Sequence, residues 1–166
     1  MTTADVRTPT EIARAVFAAV SAKDLDGIVA HGAPDYVDDF VAVGEFRGRD
    51  AIREFFRETY AAFPDFELTV DRIVGDESSA AVQWHLTGTF SGGRFQGIRP
   101  TGRRVELRGV DVLEIADGLI RHNTIYYDGA SFARQIGLLP AQGSRGDRAL
   151  VAAFNAATTV RRRGRR

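Results

Sequence analysis

The chain contains no cysteine among its 166 residues, which excludes disulfide bonds and thiolate metal sites. Basic and acidic residues number 22 each, so the zero net charge gives the whole chain no electrostatic preference for nucleic acid or anionic membranes. No apolar run is long enough to span a membrane, and the start of the sequence lacks the apolar segment of a secretory signal. We therefore expect a cytoplasmic protein with no nucleic-acid partner and no membrane partner.

The common phosphate-binding, nucleophile and metal-binding motifs are also missing. The sequence contains no Walker A motif, no Rossmann glycine fingerprint and no Gly-x-Ser-x-Gly elbow. The three histidines, His31, His85 and His122, lack the spacing of metal ligands, so neither a metal site nor a cofactor is predicted. His85 is interpreted as a residue of a sheet surface or an interface in preference to a catalytic histidine.

Hydrophobic residues make up 44% of the chain and charged residues 27%, which is typical of a globular domain. Hydrophobic periodicity predicts three helices, at 9–22, 24–29 and 51–62, with a strand or tight strand pair at 36–46 before the third helix. Further strands are predicted at 66–74, at 80–90 and in a hairpin at 105–128. This order predicts an α+β fold in which a curved antiparallel sheet wraps on about three N-terminal helices and encloses a cone-shaped apolar pocket.

The domain organisation is predicted from the distribution of turn and charge signals. Residues 1–140 are expected to form one domain, and residues 141–166 a C-terminal extension with a possible helix and a basic tail. The last six residues, RRRGRR, hold five arginines. Such a tail can contact nucleic acid or anionic lipid, although a solvated chain terminus is the simpler interpretation.

The hairpin at 105–128 contains the first candidate functional residue, Asp111. Asp117-Gly118 marks its turn, and residues before the turn alternate between a charged face and an apolar face. Asp111 lies on the apolar face, where a carboxyl group is costly unless it is paired, hydrogen-bonded or protonated. The alternatives are that Asp111 caps a loop, bonds a neighbouring hydroxyl, or lies on a face that becomes wet as the sheet curls.

Three stretches of the sequence carry a family resemblance. They are FRGRDAIREFFRETYAAFPDFEL at 46–68, GIRPTGRRVELRGVDVLEIADGLI at 97–120 and YYDGASFARQIGLLP at 126–140. Together they resemble the nuclear transport factor 2-like superfamily, and in particular its SnoaL-like polyketide cyclase branch. The resemblance implies the cone-shaped fold, but this superfamily includes isomerases, cyclases, hydrolases and non-catalytic binders, so it does not imply one reaction.

Two catalytic arrangements of the superfamily are absent from this chain. The catalytic Asp on the last strand of SnoaL-type cyclases corresponds to Ile125 here. The Arg and Asp of the similar limonene epoxide hydrolase correspond to Trp84 and Leu86. The resemblance therefore does not imply an epoxide hydrolase or an unmodified SnoaL mechanism.

Ketosteroid isomerase, another member, resembles this chain more closely at its acids. That comparison implies a general base at Asp39 and a protonated acid, which donates a hydrogen bond to an oxyanion, at Asp111. The tyrosine that completes that oxyanion hole falls near Phe17, so Tyr60 or Tyr127 would have to supply the second donor. Asp35, Asp38 and Asp39 cluster near a turn, however, and any of them can be merely solvated.

The leading hypothesis is an acid/base enzyme acting on a hydrophobic, carbonyl-containing small molecule, as a polyketide cyclase or a ketosteroid isomerase does. Asp39 would abstract a proton, Asp111 would stabilise the oxyanion, and Tyr127 and Asn123 would assist. The residues expected to contact the substrate are Trp84, Val82, Leu86, Phe56, Tyr60, Phe17 and Ile125.

The alternative hypothesis is a small-molecule-binding or dimerisation module of the same fold without catalytic activity. The outer face of the strand meander carries Val110, Val112, Gln83, His85 and Thr87, a mixture suited to an interface between two identical subunits. A homodimer is therefore expected.

Overall fold

The computed structural model describes residues 7–163, and it confirms the predicted α+β fold class. The described residues form five helices and six strands. Their order is α1 (Pro9–Ala22), α2 (Leu25–Val29), β1 (Gly32–Phe40), β2 (Gly44–Arg47), α3 (Arg49–Ala62), β3 (Glu67–Gly75), β4 (Ser79–Thr89), β5 (Arg104–Ala116), β6 (Leu119–Tyr127), α4 (Gly129–Ile136) and α5 (Arg145–Arg163).

The six strands form one sheet in the order β2-β1-β6-β5-β4-β3. Four neighbouring pairs are antiparallel, as predicted, whereas β1 and β6 run parallel. Antiparallel neighbours can be joined by a short hairpin, and turn signals in the sequence identify such hairpins. No hairpin joins β1 to β6, so the local signals contain no information about their relative direction.

The first three helices cover one face of this sheet. A capping box begins α1, in which Thr8 Oγ1 accepts from Glu11 N at 3.3 Å while Thr8 N donates to Glu11 Oε2 at 2.8 Å. The apolar side of α1, including Ile12 and Val16, packs against β3, β4 and β5, and α3 packs against β1 and β2. The concave face of the sheet and the inner faces of the helices therefore enclose the core.

The two C-terminal helices differ in how they contact this core. Helix α4, capped by Asp128, packs against β5. Helix α5 lies in the segment after residue 140, and its large apolar side chains Leu150, Val151 and Phe154 are exposed. The side chains of the Arg-rich tail lie outside the described residues, and the proposed domain boundary stays a prediction.

The described helices differ from a membrane-spanning helix in length or apolar character. None of those between residues 7 and 163 is both long and apolar enough to cross a bilayer. The expected cellular location stays a prediction.

Candidate active site

A cavity of about 130 Å³ lies between the helices and the concave face of the sheet. Its lining is predominantly aromatic and aliphatic, and among residues 7–163 only Asp38, Asp111 and Asn123 contribute carboxyl or carboxamide groups to it. Apolar cavities of about this size hold a benzene ring. The cavity therefore accommodates one ring of a flat hydrophobic ligand next to two carboxyl groups.

Asp111 lies in the middle of β5 on the cavity side of the sheet, as the alternation of the sequence indicates. It is only 7% exposed, and both of its carboxyl oxygens accept hydrogen bonds. Trp84 Nε1 donates to Oδ1 at 2.8 Å, and Asn123 Nδ2 donates to Oδ2 at 2.9 Å. Because neither donor can accept a proton, both hydrogen bonds favour the ionised form of Asp111.

Gly109 makes room for the indole ring that reaches Asp111. Trp84 and Gly109 are cross-strand partners in β4 and β5. A Cβ atom at position 109 would lie 2.3 Å from Trp84 Cζ2 and 2.6 Å from the backbone oxygen of Tyr126. Sequence reasoning did not identify this role, although a glycine in a strand interior often marks a close approach of other groups.

The second cavity carboxyl is Asp38 and not Asp39, so the expected position of the second acid is wrong by one residue. Asp38 is 5% exposed and shares the cavity face of β1 with Tyr36 and Phe40. Asp39 points to the opposite face, where it is half-buried, and it pairs across the sheet with Glu45. Successive residues of a strand alternate between faces, so a shift of one position exchanges the inner and the outer carboxyl.

The environment separates the pKa values of the two acids. Burial raises the pKa of Asp38 to about 8, and repulsion by the Asp111 carboxylate acts in the same direction. Burial raises the pKa of Asp111 to about 6, while the hydrogen bonds from Asn123 and Trp84 oppose that rise. Near neutral pH the pair therefore carries one proton, held by Asp38, whereas the resemblance to ketosteroid isomerase implied that Asp111 is the protonated acid.

Asn123 contacts both acids. It lies opposite Asp38 in the parallel pairing of β1 with β6, and hydrogen bonding from its side chain lowers the pKa of Asp38 as well as that of Asp111. Its Oδ1 atom is buried and has no hydrogen-bond partner within residues 7–163. One carboxamide thus connects the two carboxyl groups and leaves a free acceptor beside them.

Most of the other predicted site residues line the cavity. They are Phe17, Phe56, Trp84, Leu86, Ile125 and Tyr127. Burial raises the pKa of Tyr127 to about 12, so its hydroxyl stays a neutral donor. Sequence reasoning missed several lining residues, namely Tyr36, Asp38 and the phenylalanines at 40, 55, 63, 66, 95 and 132.

Two predicted wall residues, Tyr60 and Val82, do not line the cavity. The hydroxyl of Tyr60 donates to the backbone oxygen of Val20 at 2.9 Å, so this side chain connects α3 to α1. Val82 is fully buried and pairs with Asp111 across the sheet, but it is not part of the cavity lining. Tyr60 is therefore committed to a structural hydrogen bond and is not available as an oxyanion donor.

The raised pKa values predict a specific dependence of stability on pH. A carboxyl whose folded pKa exceeds its unfolded value of about 3.9 stabilises the fold most at low pH, and this contribution is lost as the pH rises through the folded pKa. For Asp38 the loss falls between about pH 4 and pH 8. We expect Asp38→Asn to raise the free energy of unfolding by about 1–3 kcal/mol at pH 8 and far less at pH 4.

Urea denaturation at both pH values measures this difference. Asp39→Asn is the matched control, and we expect it to change the free energy of unfolding by less than about 0.5 kcal/mol at either pH. An equal effect of Asp38→Asn at the two pH values would show that Asp38 is not a buried neutral acid.

The curved six-stranded sheet with helices packed against one face is the fold of the nuclear transport factor 2-like proteins, and sequence comparison identifies the family. The family model of the SnoaL-like polyketide cyclases matches residues 10–136. The chain therefore belongs to this family. No curated protein sequence is significantly similar to the chain.

Solved structures agree with this fold. A proposed SnoaL-like polyketide cyclase from Jannaschia sp. CCS1 has a TM-score of 0.71 at 22% identity and covers 84% of this chain and 99% of its own. AclR from Streptomyces galilaeus, a proposed hydroxylase, has a TM-score of 0.67 at 26% identity, covering 93% and 95%. IdmH from Streptomyces antibioticus, a proposed polyketide cyclase, has a TM-score of 0.65 at 26% identity, covering 79% and 99%.

Proposed function

We propose that the protein is an acid/base enzyme that acts on a hydrophobic, carbonyl-containing small molecule. The observation that carries this proposal is a pair of buried carboxyls, Asp38 and Asp111, that face one apolar cavity and differ in pKa. Two titratable groups whose environments separate their pKa values are the usual basis of acid/base catalysis. Membership of the SnoaL-like family and the similarity to IdmH, a proposed polyketide cyclase, support a substrate of this kind.

In the proposed reaction the ionised Asp111 removes a proton from the carbon next to the substrate carbonyl. The electron pair of the broken C–H bond forms a C=C bond, and the carbonyl electron pair moves onto oxygen. Asp38, which is neutral, donates its proton towards that oxygen, so that an enol forms and the pair exchanges its charges. The second acid is thus Asp38, where the resemblance implied Asp39. Asp111 acts as the base and Asp38 as the hydrogen-bond donor, whereas the resemblance implied that Asp111 is the donor.

The surrounding residues support this chemistry. The Asn123 carboxamide holds Asp111 in its ionised form and orients it, and the neutral hydroxyl of Tyr127 is a further donor in the cavity. The apolar walls strengthen each of these interactions because they exclude water. Flat rings of the substrate would pack on Trp84 and Phe56.

The enol intermediate has two productive outcomes. Reprotonation at another carbon gives an isomerase, and attack of the enol carbon on a second carbonyl of the same molecule gives a cyclase. The acid pair serves both reactions equally. Family membership favours the cyclase.

A proton-exchange assay tests the proposal without knowledge of the natural substrate. Phenylacetone carries one ring and an acidified CH₂ group beside its carbonyl. Its binding is measured by quenching of Trp84, the only tryptophan in the chain and a residue of the cavity wall. In D₂O, protein saturated with phenylacetone should exchange the benzylic protons of this ligand for deuterium faster than buffer at the same pH does. The exchange is measured as the loss of their proton signal. Binding with no exchange above the buffer rate would contradict catalysis and favour the alternative of a non-catalytic binding module.

We also propose that the protein is a homodimer that associates through the outer face of the sheet. Val110 and Tyr126 are cross-strand partners on this face and are 36% and 52% exposed. Their neighbours Gln83, Val112 and Thr124 are uncharged, so the patch can pair with itself around a two-fold axis. Light scattering should show a dimer that Val110→Asp dissociates, whereas Val74→Asp, a control at an exposed position in β3, should leave it intact. A monomeric wild-type protein would contradict this proposal.

A further inference from the structure

The loop between β4 and β5 contains a small hairpin at residues 95–98. Phe95 and Ile98 exchange two backbone hydrogen bonds, of 3.0 and 2.9 Å. The two residues between them, Gln96 and Gly97, have φ values of +49° and +79°. Positive φ at both central positions is typical of a tight two-residue hairpin turn, so residues 95–98 form a compact unit.

This hairpin inserts the ring of Phe95 into the cavity. Phe95 is 7% exposed and is part of the cavity lining. Its ring centroid lies 6.0 Å from that of Phe55, 5.7 Å from that of Phe63 and 5.9 Å from that of Phe132. Phe55 and Phe132 belong to helices, and Phe63 is the C-terminal cap of α3. Phe95 is therefore the member of this aromatic cluster that a loop carries.

Backbone hydrogen bonds join the loop to the C-terminal end of α3. The backbone nitrogens of Gly92 and Gly93 donate to the oxygens of Ala62 and Ala61 at 3.1 and 2.8 Å. A Cβ atom on Gly92 would lie 2.0 Å from Ala61 O, so the loop backbone rests directly on the helix. The hairpin itself is held by Glu58 Oε1, which accepts from Gln96 N at 2.6 Å.

We propose that Phe95 sets the upper limit of ligand size, and that the hairpin at 95–98 is a displaceable wall of the cavity held in place by Glu58. This inference rests on the proposed function only in taking the cavity as the ligand site. With the hairpin in place the cavity of about 130 Å³ holds about one ring. A ligand with several fused rings can enter only if the ring of Phe95 is removed or the hairpin moves. Apart from Phe95 and the half-buried Ile98, residues 93–100 are exposed. Exposed loop backbone opens locally at a lower free-energy cost than the helices and strands of the remaining wall.

Three aromatic alcohols of increasing size, phenol, 2-naphthol and 2-anthrol, test the size limit through quenching of Trp84. The wild-type protein should bind phenol more tightly than 2-anthrol. Phe95→Ala should raise the affinity for 2-anthrol at least about tenfold and change that for phenol by less than about threefold. The inference is overturned if the wild-type protein binds 2-anthrol as tightly as phenol, if Phe95→Ala changes both affinities by the same factor, or if none of the three binds.

A pair of variants at Glu58 tests the hairpin contact and leaves the cavity wall unchanged. Glu58→Gln keeps an Oε1 acceptor for Gln96 N, whereas Glu58→Ala removes it. Stopped-flow mixing should show faster association of 2-anthrol with Glu58→Ala than with Glu58→Gln, and equal rates would contradict the role of Glu58 even if Phe95→Ala does not fold. Binding is measured without turnover, so a lack of proton exchange would overturn the proposed function and leave the size limit standing.

Discussion

Replacing either cavity carboxyl by its amide is expected to slow the protein-catalysed proton exchange of phenylacetone at least about a hundredfold. Asp111→Asn removes the base, and Asp38→Asn removes the ionisable donor, while both amides keep the shape of the side chain they replace. Asp39→Asn is the matched control, because that side chain lies one position away on the opposite face of β1. A large loss in Asp39→Asn together with normal activity in Asp38→Asn would reverse the assignment of the inner acid.

The pH profile of the exchange distinguishes a catalytic pair from a structural one. The active form needs Asp111 ionised and Asp38 protonated, so the rate should be greatest between the two pKa values, about 6 and about 8. It should fall on the acidic side as Asp111 gains a proton and on the alkaline side as Asp38 loses one. A rate that rises continuously across this range would contradict the requirement for a protonated Asp38.

The second large effect is expected at a residue that carries no functional group. Gly109→Ala should lower the free energy of unfolding by about 2–4 kcal/mol, because the new Cβ atom would overlap both the Trp84 indole and the backbone oxygen of Tyr126. The rigid strand oxygen cannot move aside, so the indole or the strand pairing must shift. Urea denaturation measures the loss of stability.

Val110→Ala is the control for that measurement. Val110 is the next residue along β5 and lies on the outer face, so its truncation should change stability by about 0.5 kcal/mol or less under conditions in which the protein is monomeric. If Gly109→Ala changes the free energy of unfolding as little as Val110→Ala does, Gly109 does not determine the position of Trp84. A Gly109→Ala variant that folds with the Trp84 indole in its original position would also contradict the role of Gly109 in the hydrogen bond between Trp84 and Asp111.

The parts of the fold that local signals specify were predictable from the sequence. The capping box at Thr8 begins α1, and the Asp-Gly turn at 117–118 joins β5 to β6. Alternation in β5 also identified Asp111 as a carboxyl on the inner face, because the period of a strand depends only on neighbouring residues. These signals need no information from distant parts of the chain.

The one-residue displacement at β1 has a different origin. Both acids have apolar residues at a spacing of two along the strand, Tyr36 and Phe40 around Asp38 and Val37 and Val41 around Asp39. Alternation alone therefore did not separate them. The resemblance to ketosteroid isomerase favoured Asp39, because the segment from Asp39 to Gly48 has the length of the corresponding segment in that enzyme. Small changes in loop length make such a match unreliable by one position. The packing of β1 within the whole sheet decided which of the two carboxyls faces the cavity.

Other features depend on contacts between distant residues and had no local signal. The parallel pairing of β1 with β6 joins segments that are distant in the sequence, such as Gly32 and Ile120. The hydroxyl of Tyr60 donates a hydrogen bond to the backbone oxygen of Val20 on another helix. Phe95 reaches the cavity from a glycine-rich loop, which the sequence alone identifies only as a connection between strands. Long-range packing therefore decided which aromatic residues line the cavity.

The most direct test of the acid pair is a ¹³C NMR titration of the aspartate side-chain carboxyls, with the resonances assigned from Asp38→Asn and Asp111→Asn. The account predicts that both resonances titrate well above the ordinary value of about 3.9, and that Asp38 has the higher pKa. In Asp111→Asn the pKa of Asp38 should fall, because the repelling charge is gone. Titration of both carboxyls near their ordinary value would contradict the account, since it would mean that the cavity is wet and that Asp38 holds no proton at neutral pH.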